Sequence, residues 1–165
     1  MNDQPQKEHE WLHRLLGTWT FEGDCSMGPD KPRAAFSGTE VVRSLGGFWV
    51  IAEGDGDMPC GGRAATVMTV GYDPRQRRYV GTWAGSMMSH MFHYVGTLDD
   101  AGTTLTLETE GPSPSGDGTM AKFRDVITLT GDGGRTLTAY TPGEDGRWIE
   151  FMSARYRLAQ QAAAQ

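Results

Sequence analysis

After Gly17 the side-chain period of this chain changes from that of a helix to that of a strand, and it does not change back. Before the switch, Trp11, Leu12, Leu15 and Leu16 recur at helical spacing. That spacing predicts one short α-helix over about 8–16, with Gly17 where a left-handed C-terminal cap commonly sits. From Thr18 onward, Trp19, Phe21, Gly23 and Cys25 alternate with Thr18, Thr20, Glu22 and Asp24, the pattern of a strand with one wet face. Turn chemistry divides the remainder at 26–33, Gly46-Gly47, 54–62, Asp73-Pro74, 99–102, 111–118, 131–134 and 142–146. The strands predicted between these breaks are 18–25, 35–45, 47–54, 63–72, 76–86, 91–98, 103–110, 119–130, 135–141 and 147–157.

A meander of about ten strands with no second helix either closes on itself or leaves two long edges unpaired. Closure is expected: an all-β fold, a single antiparallel up-and-down β-barrel of about ten strands with the short helix at one end. A two-sheet sandwich is the alternative. Gly23, Gly81, Gly85 and Gly96 fall inside strands, where a small barrel needs bends and bulges. The 165 residues fit one domain, taken as 1–158, with 159–165 as a frayed tail.

Composition narrows the partners. A net charge of -6 argues against nucleic acid, whose binding draws largely on Lys and Arg neutralising phosphates. The Arg75, Arg77 and Arg78 cluster follows Asp73-Pro74 and reads as a solvated hairpin tip. The N-terminus is polar, and nowhere do about 18 apolar residues run together, so a cytoplasmic protein without membrane partners is expected. Cys25 and Cys60 are too few for a disulfide framework and are read as reduced.

Strand phase suggests which side chains face inward. Trp19 and Phe21 on the first strand, and Tyr79, Trp83 and Met87 on the fifth, form the bulkier sets. They either fill the core or line a space for one small apolar ligand. The stretch Met87-Met88-Ser89-His90-Met91-Phe92-His93-Tyr94 gathers methionine, whose flexible thioether suits irregular apolar ligands. His90 and His93 are three residues apart, so a regular strand would aim them at opposite faces, and no metal or cofactor is expected. No nucleophile elbow, paired carboxylates or phosphate loop is visible, and no catalytic residue is assigned. Arg43 and Arg124 each lie in a β run with apolar neighbours. Turned inward, either would hold a ligand carboxylate; turned outward, it would stand beside acids such as Glu40 or Asp125.

The chain resembles the bacterial family catalogued as domain of unknown function 1579. The matching features are Leu16-Gly17-Thr18-Trp19, Leu45-Gly46-Gly47, Gly71-Tyr72-Asp73, Tyr79-Val80-Gly81-Thr82-Trp83, Gly96-Thr97-Leu98-Asp99-Asp100, Lys122-Phe123-Arg124 and 152–158. They span about residues 9 to 158. The resemblance implies a calycin barrel, like those of lipocalins and fatty-acid-binding proteins, and no established activity. Acids that members carry after the fifth-strand Trp and in the last strand are replaced near those places by Ala84, Gly85 and Ser153. A more distant similarity is to the haem-binding nitrobindin barrels, which also open with Leu-Gly-Thr-Trp after a helix. Their haem-ligating histidine lies in the closing strand, and the closing strand here has none.

The leading expectation is a non-enzymatic binder of a small apolar or amphipathic molecule. Its site residues would be Trp19, Phe21, Tyr79, Trp83, Met87, His90, Met91, His93 and Met152, with Arg43 or Arg124 as polar anchor. One alternative is an enzyme using His90 or His93 as general base. Another is a filled barrel that associates, for instance as a homodimer, through exposed sides of Trp49, Phe92 or Trp148.

Overall fold

The structure is a computed structural model and describes residues 3–162. Lys7–Leu12 form helix α1, followed by one 3-10 turn over His13–Leu15. Ten strands follow: β1 Gly17–Cys25, β2 Ala34–Leu45, β3 Trp49–Asp57, β4 Arg63–Asp73, β5 Arg78–Gly85, β6 Phe92–Leu98, β7 Thr104–Pro112, β8 Met120–Leu129, β9 Arg135–Pro142 and β10 Trp148–Gln160. Each strand pairs antiparallel with its sequence neighbours, and β1 pairs with β10, so the sheet is a closed barrel and the sandwich alternative falls. Among the described residues no helix is long and apolar enough to cross a membrane.

The expected element boundaries shift where the backbone geometry is unusual. The helix ends earlier than its apolar spacing predicts, because the Leu16 N–H donates to the His13 carbonyl and tightens the last turn. Gly17, at φ 129°, opens β1 instead of capping the helix. Gly46 and Gly47, at φ 65° and 78°, make the turn into β3, which therefore begins at Trp49 and not at residue 47. β10 stays paired as far as Gln160, opposite Thr18, two residues beyond the expected domain end at 158; residues 163–165 of the expected tail lie outside the described residues.

The helix closes one end of the barrel. Trp11, Leu12 and Leu15 are buried in one cluster with Trp19, Val50, Val70, Tyr79 and Leu105. Each such side chain contributes about 1.5–3 kcal/mol on burial. The polar tips of the aromatic residues are satisfied by backbone carbonyls of the plug itself and of the turn at Gly102. Trp11 Nε1–H donates to the Gly102 carbonyl at 2.7 Å, Trp19 Nε1–H to Leu15 at 2.9 Å, and the Tyr79 hydroxyl to Glu8 at 2.9 Å. His9 is also buried: its Nδ1 accepts from the Gln6 N–H, which leaves the proton on Nε2, 3.1 Å from the Tyr72 carbonyl. This end is aromatic and buried beneath the helix, so an opening into the barrel lies at the other end.

A candidate ligand cavity with a charged floor

The opposite end is open, and a cavity of about 640 Å³ enters the barrel there. Met58, Met87, Met88 and Pro114, on the connections that follow β3, β5 and β7, form its rim with Pro112 at the end of β7. Below the rim runs a belt of edge-to-face aromatic rings. Trp83 meets Phe92 at 5.7 Å between centroids, Phe92 meets Phe123 at 5.9 Å, and Phe123 meets Phe151 at 6.0 Å. Phe21 and Phe36 face this belt with Met68, Leu137 and Met152 between. Glycine in the wall makes room for the rings: a Cβ on Gly111 would lie 2.1 Å from Phe92, and one on Gly38 2.5 Å from Phe21.

Consecutive residues Phe151 and Met152 both line the cavity, which a regular strand forbids. Between Glu150 and Met152 the register with β9 shifts, so Phe151 is the extra residue of a β-bulge. The bulge turns a ring inward that alternation would have sent to solvent.

The floor is polar and crosses the barrel in two bonded pairs. Arg135 on β9 reaches over β10 and β1 to Glu40 on β2, with Nη2 2.5 Å from Oε1 and side-chain exposures of 3% and 11%. The guanidinium lies 4.7 Å from the ring centroid of Trp19 and 4.1 Å from that of Tyr156. Tyr94 on β6 reaches over β7 and donates its hydroxyl to Asp125 Oδ2 on β8 at 2.5 Å. Burial pushes the Asp125 carboxyl above its ordinary range, with the Tyr94 hydrogen bond pulling the other way. Burial likewise raises the Tyr94 phenol well above its usual value, helped by the Asp125 charge. Two buried polar atoms in this region, Thr109 Oγ1 and Arg135 Nε, have no hydrogen-bond partner among the described residues.

The expected site residues divide into three groups. Phe21, Trp83, Met87 and Met152 line the cavity. Trp19 and Tyr79 point inward but belong to the sealed end, each only 2% exposed. The remaining five do not line it. Arg43 is exposed on the outer face because Val42, not Arg43, occupies the inward phase of β2. Arg124 also faces outward, bonded to Glu108 at 2.6 Å and lying 4.0 Å from the Trp148 ring centroid. The arginine that faces the cavity is Arg135, not Arg43 or Arg124, and Glu40 and Asp125, read as acids beside an outward arginine, line the cavity instead. His93 and Met91 are exposed, and His90 sits in the turn before β6 with Nε2 3.2 Å from the Glu110 carbonyl. Phe92 is not an outer contact residue, since its ring is part of the belt. Nor is the barrel filled.

No group of three or more His, Cys, Asp or Glu that could hold a metal ion occurs among the described residues. No curated protein matches the chain. Among solved structures, the crystal structure of Rv2717c from M. tuberculosis superposes with a TM-score of 0.64 at 14% identity, covering 97% of this chain and 100% of that one. EF1p2_mFAP2b, solved bound to DFHBI, superposes with a TM-score of 0.50 at 13% identity, covering 92% and 99%. At these identities the likeness is one of fold. The family described as "Protein of unknown function (DUF1579)" matches residues 4–158, from the plugging helix through the closing strand, and this chain belongs to it.

Proposed function

We propose that this protein binds one small, largely apolar molecule inside the barrel and does no chemistry on it. The observation that carries this reading is the cavity of about 640 Å³ itself, sealed by the helix at one end and rimmed by methionine and proline at the other. Small-molecule sites typically occupy about 300–1,000 Å³, with mostly apolar walls and a few placed polar groups. The aromatic belt and the Glu40–Arg135 and Tyr94–Asp125 pairs fit that description. A barrel of similar fold was solved with a small molecule bound, which accords with the reading. A general base would have to face the ligand, and neither His90 nor His93 lines the cavity.

The test has two arms. Native mass spectrometry of protein purified from cells should show a retained small molecule. Nile red, a neutral apolar dye, should bind with enhanced emission, and Ala139→Trp, which projects a large ring into the space, should abolish binding while circular dichroism keeps its barrel signature. Dye binding that survives Ala139→Trp would place the dye elsewhere and defeat the proposal.

A further inference from the structure

We infer that the cavity takes a ligand with an uncharged oxygen at its inner end, such as an alcohol, ketone or amide, and rejects one with a carboxylate. This inference rests on the proposed binding role and specifies the ligand class for the same cavity.

Two carboxyl groups, Glu40 and Asp125, stand in the floor beside one guanidinium, Arg135. Arg135 is already committed to Glu40 and stacked on Trp19 and Tyr156. Asp125 is bonded to the neutral Tyr94 hydroxyl and has no salt-bridge partner among the described residues. The rim acids Asp55 and Asp57 pair with Arg63, so that cation is also taken. A ligand carboxylate would therefore enter a desolvated site as a third acid, where the one guanidinium among the described lining residues is already neutralised by Glu40. An amine would need an ionised Asp125, and a buried ion pair returns little beyond the desolvation that it costs.

Thr109 is 8% exposed and Arg135 2%, and Thr109 Oγ1 and Arg135 Nε are both buried without a partner among the described residues. Each can donate a hydrogen, and a buried donor left unmet is costly. A neutral ligand oxygen supplies an acceptor without adding charge. The lining thus asks for an apolar body ending in one uncharged acceptor.

Displacement of Nile red by decanol, decanoate and decylamine at mildly alkaline pH tests this with matched chains. Decanol should displace the dye at least tenfold more readily than either charged analogue. Apolar transfer alone also favours decanol, so two variants isolate the floor. Asp125→Asn should narrow the decanol-to-decanoate ratio several-fold within the same protein. Thr109→Val, which keeps the side-chain shape and removes the hydroxyl, should weaken decanol about fivefold, the loss of one hydrogen bond. Decanoate or decylamine binding as well as decanol, a ratio unmoved by Asp125→Asn, or decanol unaffected by Thr109→Val each overturns the inference while leaving the binding role intact. Nile red bound but displaced by none of the three also overturns it. Failure of Nile red to bind the unmodified protein would instead sink the binding role. The head-group comparison needs no variant, so it stands even if a substitution prevents folding.

Discussion

The Glu40–Arg135 pair invites a test whose size follows from its burial. With side-chain exposures of 11% and 3%, both groups are almost wholly removed from water, and they bind β2 to β9 across the two strands between them. Glu40→Leu removes the counter-charge and strands the guanidinium. Such an orphaned buried charge costs about 3–5 kcal/mol. In a domain of this length each kcal/mol moves Tm by roughly 2–4 °C, so a fall of about 6–20 °C is expected. The Trp19 and Tyr156 rings still flank the cation and should hold the loss toward the lower half of that span. The double change Glu40→Leu with Arg135→Met replaces both charges by apolar groups of similar bulk, and its cost should return to near zero. Urea unfolding followed by tryptophan fluorescence, run on all four members of the cycle, gives the coupling. A loss below about 1 kcal/mol for Glu40→Leu, or additive single effects, would mean that water reaches the floor through the cavity and screens the pair.

Other perturbations probe the remaining structure. Leu12→Ala, at a fully buried position of the plug, should cost about 2–5 kcal/mol by urea unfolding; a loss under about 1 kcal/mol would show the helix to be loosely seated. Gly38→Val would bring a Cβ within 2.4 Å of the Asp55 carbonyl and 2.5 Å of Phe21, and this overpacking should destabilise by about 1–3 kcal/mol; an unchanged Tm would contradict the close approach. Asp125 binds its proton more tightly folded than unfolded, so the stability it confers is whole below about pH 3.9 and is lost as pH rises through its raised folded pKa. The Tm of the unmodified protein relative to Asp125→Asn should therefore decline on going upward from that pH, and parallel curves would refute the burial of the carboxyl. Tyr79, Tyr94 and Tyr156 all have phenols raised chiefly by burial, so ultraviolet titration should show these three ionising only with alkaline unfolding; their ionisation in the folded protein would contradict that burial.

The architecture was largely legible because it follows from two local signals. Alternation after Thr18 marked the strands, and Gly, Pro and Asp clusters marked the turns, so nearly all the expected boundaries fall within about two residues of those observed. Phase served equally well on β1 and β5, where Phe21 and Trp83 stand out in bulk against their neighbours. It failed where polarity and direction part company. Val41 and Val42 are alike, so nothing local said which of them faces in, and Arg43 follows that choice. Glu40, Asp125 and Arg135 are charged, and the rule that sends charge to water cannot anticipate partners lying 95 residues apart in sequence, as Arg135 and Glu40 do. Phe151 was hidden by the bulge, which shifts the period by one in a way that no single strand reveals.

The pairing of β1 with β10 also has a temporal consequence. Phe21 has its cross-strand neighbour at Tyr156, so β1 waits for β10 before its backbone hydrogen bonds on that side can form. During translation β1 is an open edge, and the cylinder cannot be completed until β10 has left the ribosome. Long-range closure of this kind places folding among the slower small domains, on the millisecond-to-second scale. A chain ending before Trp148 would leave β1 and β9 as unsatisfied edges, ready to pair with those of another copy.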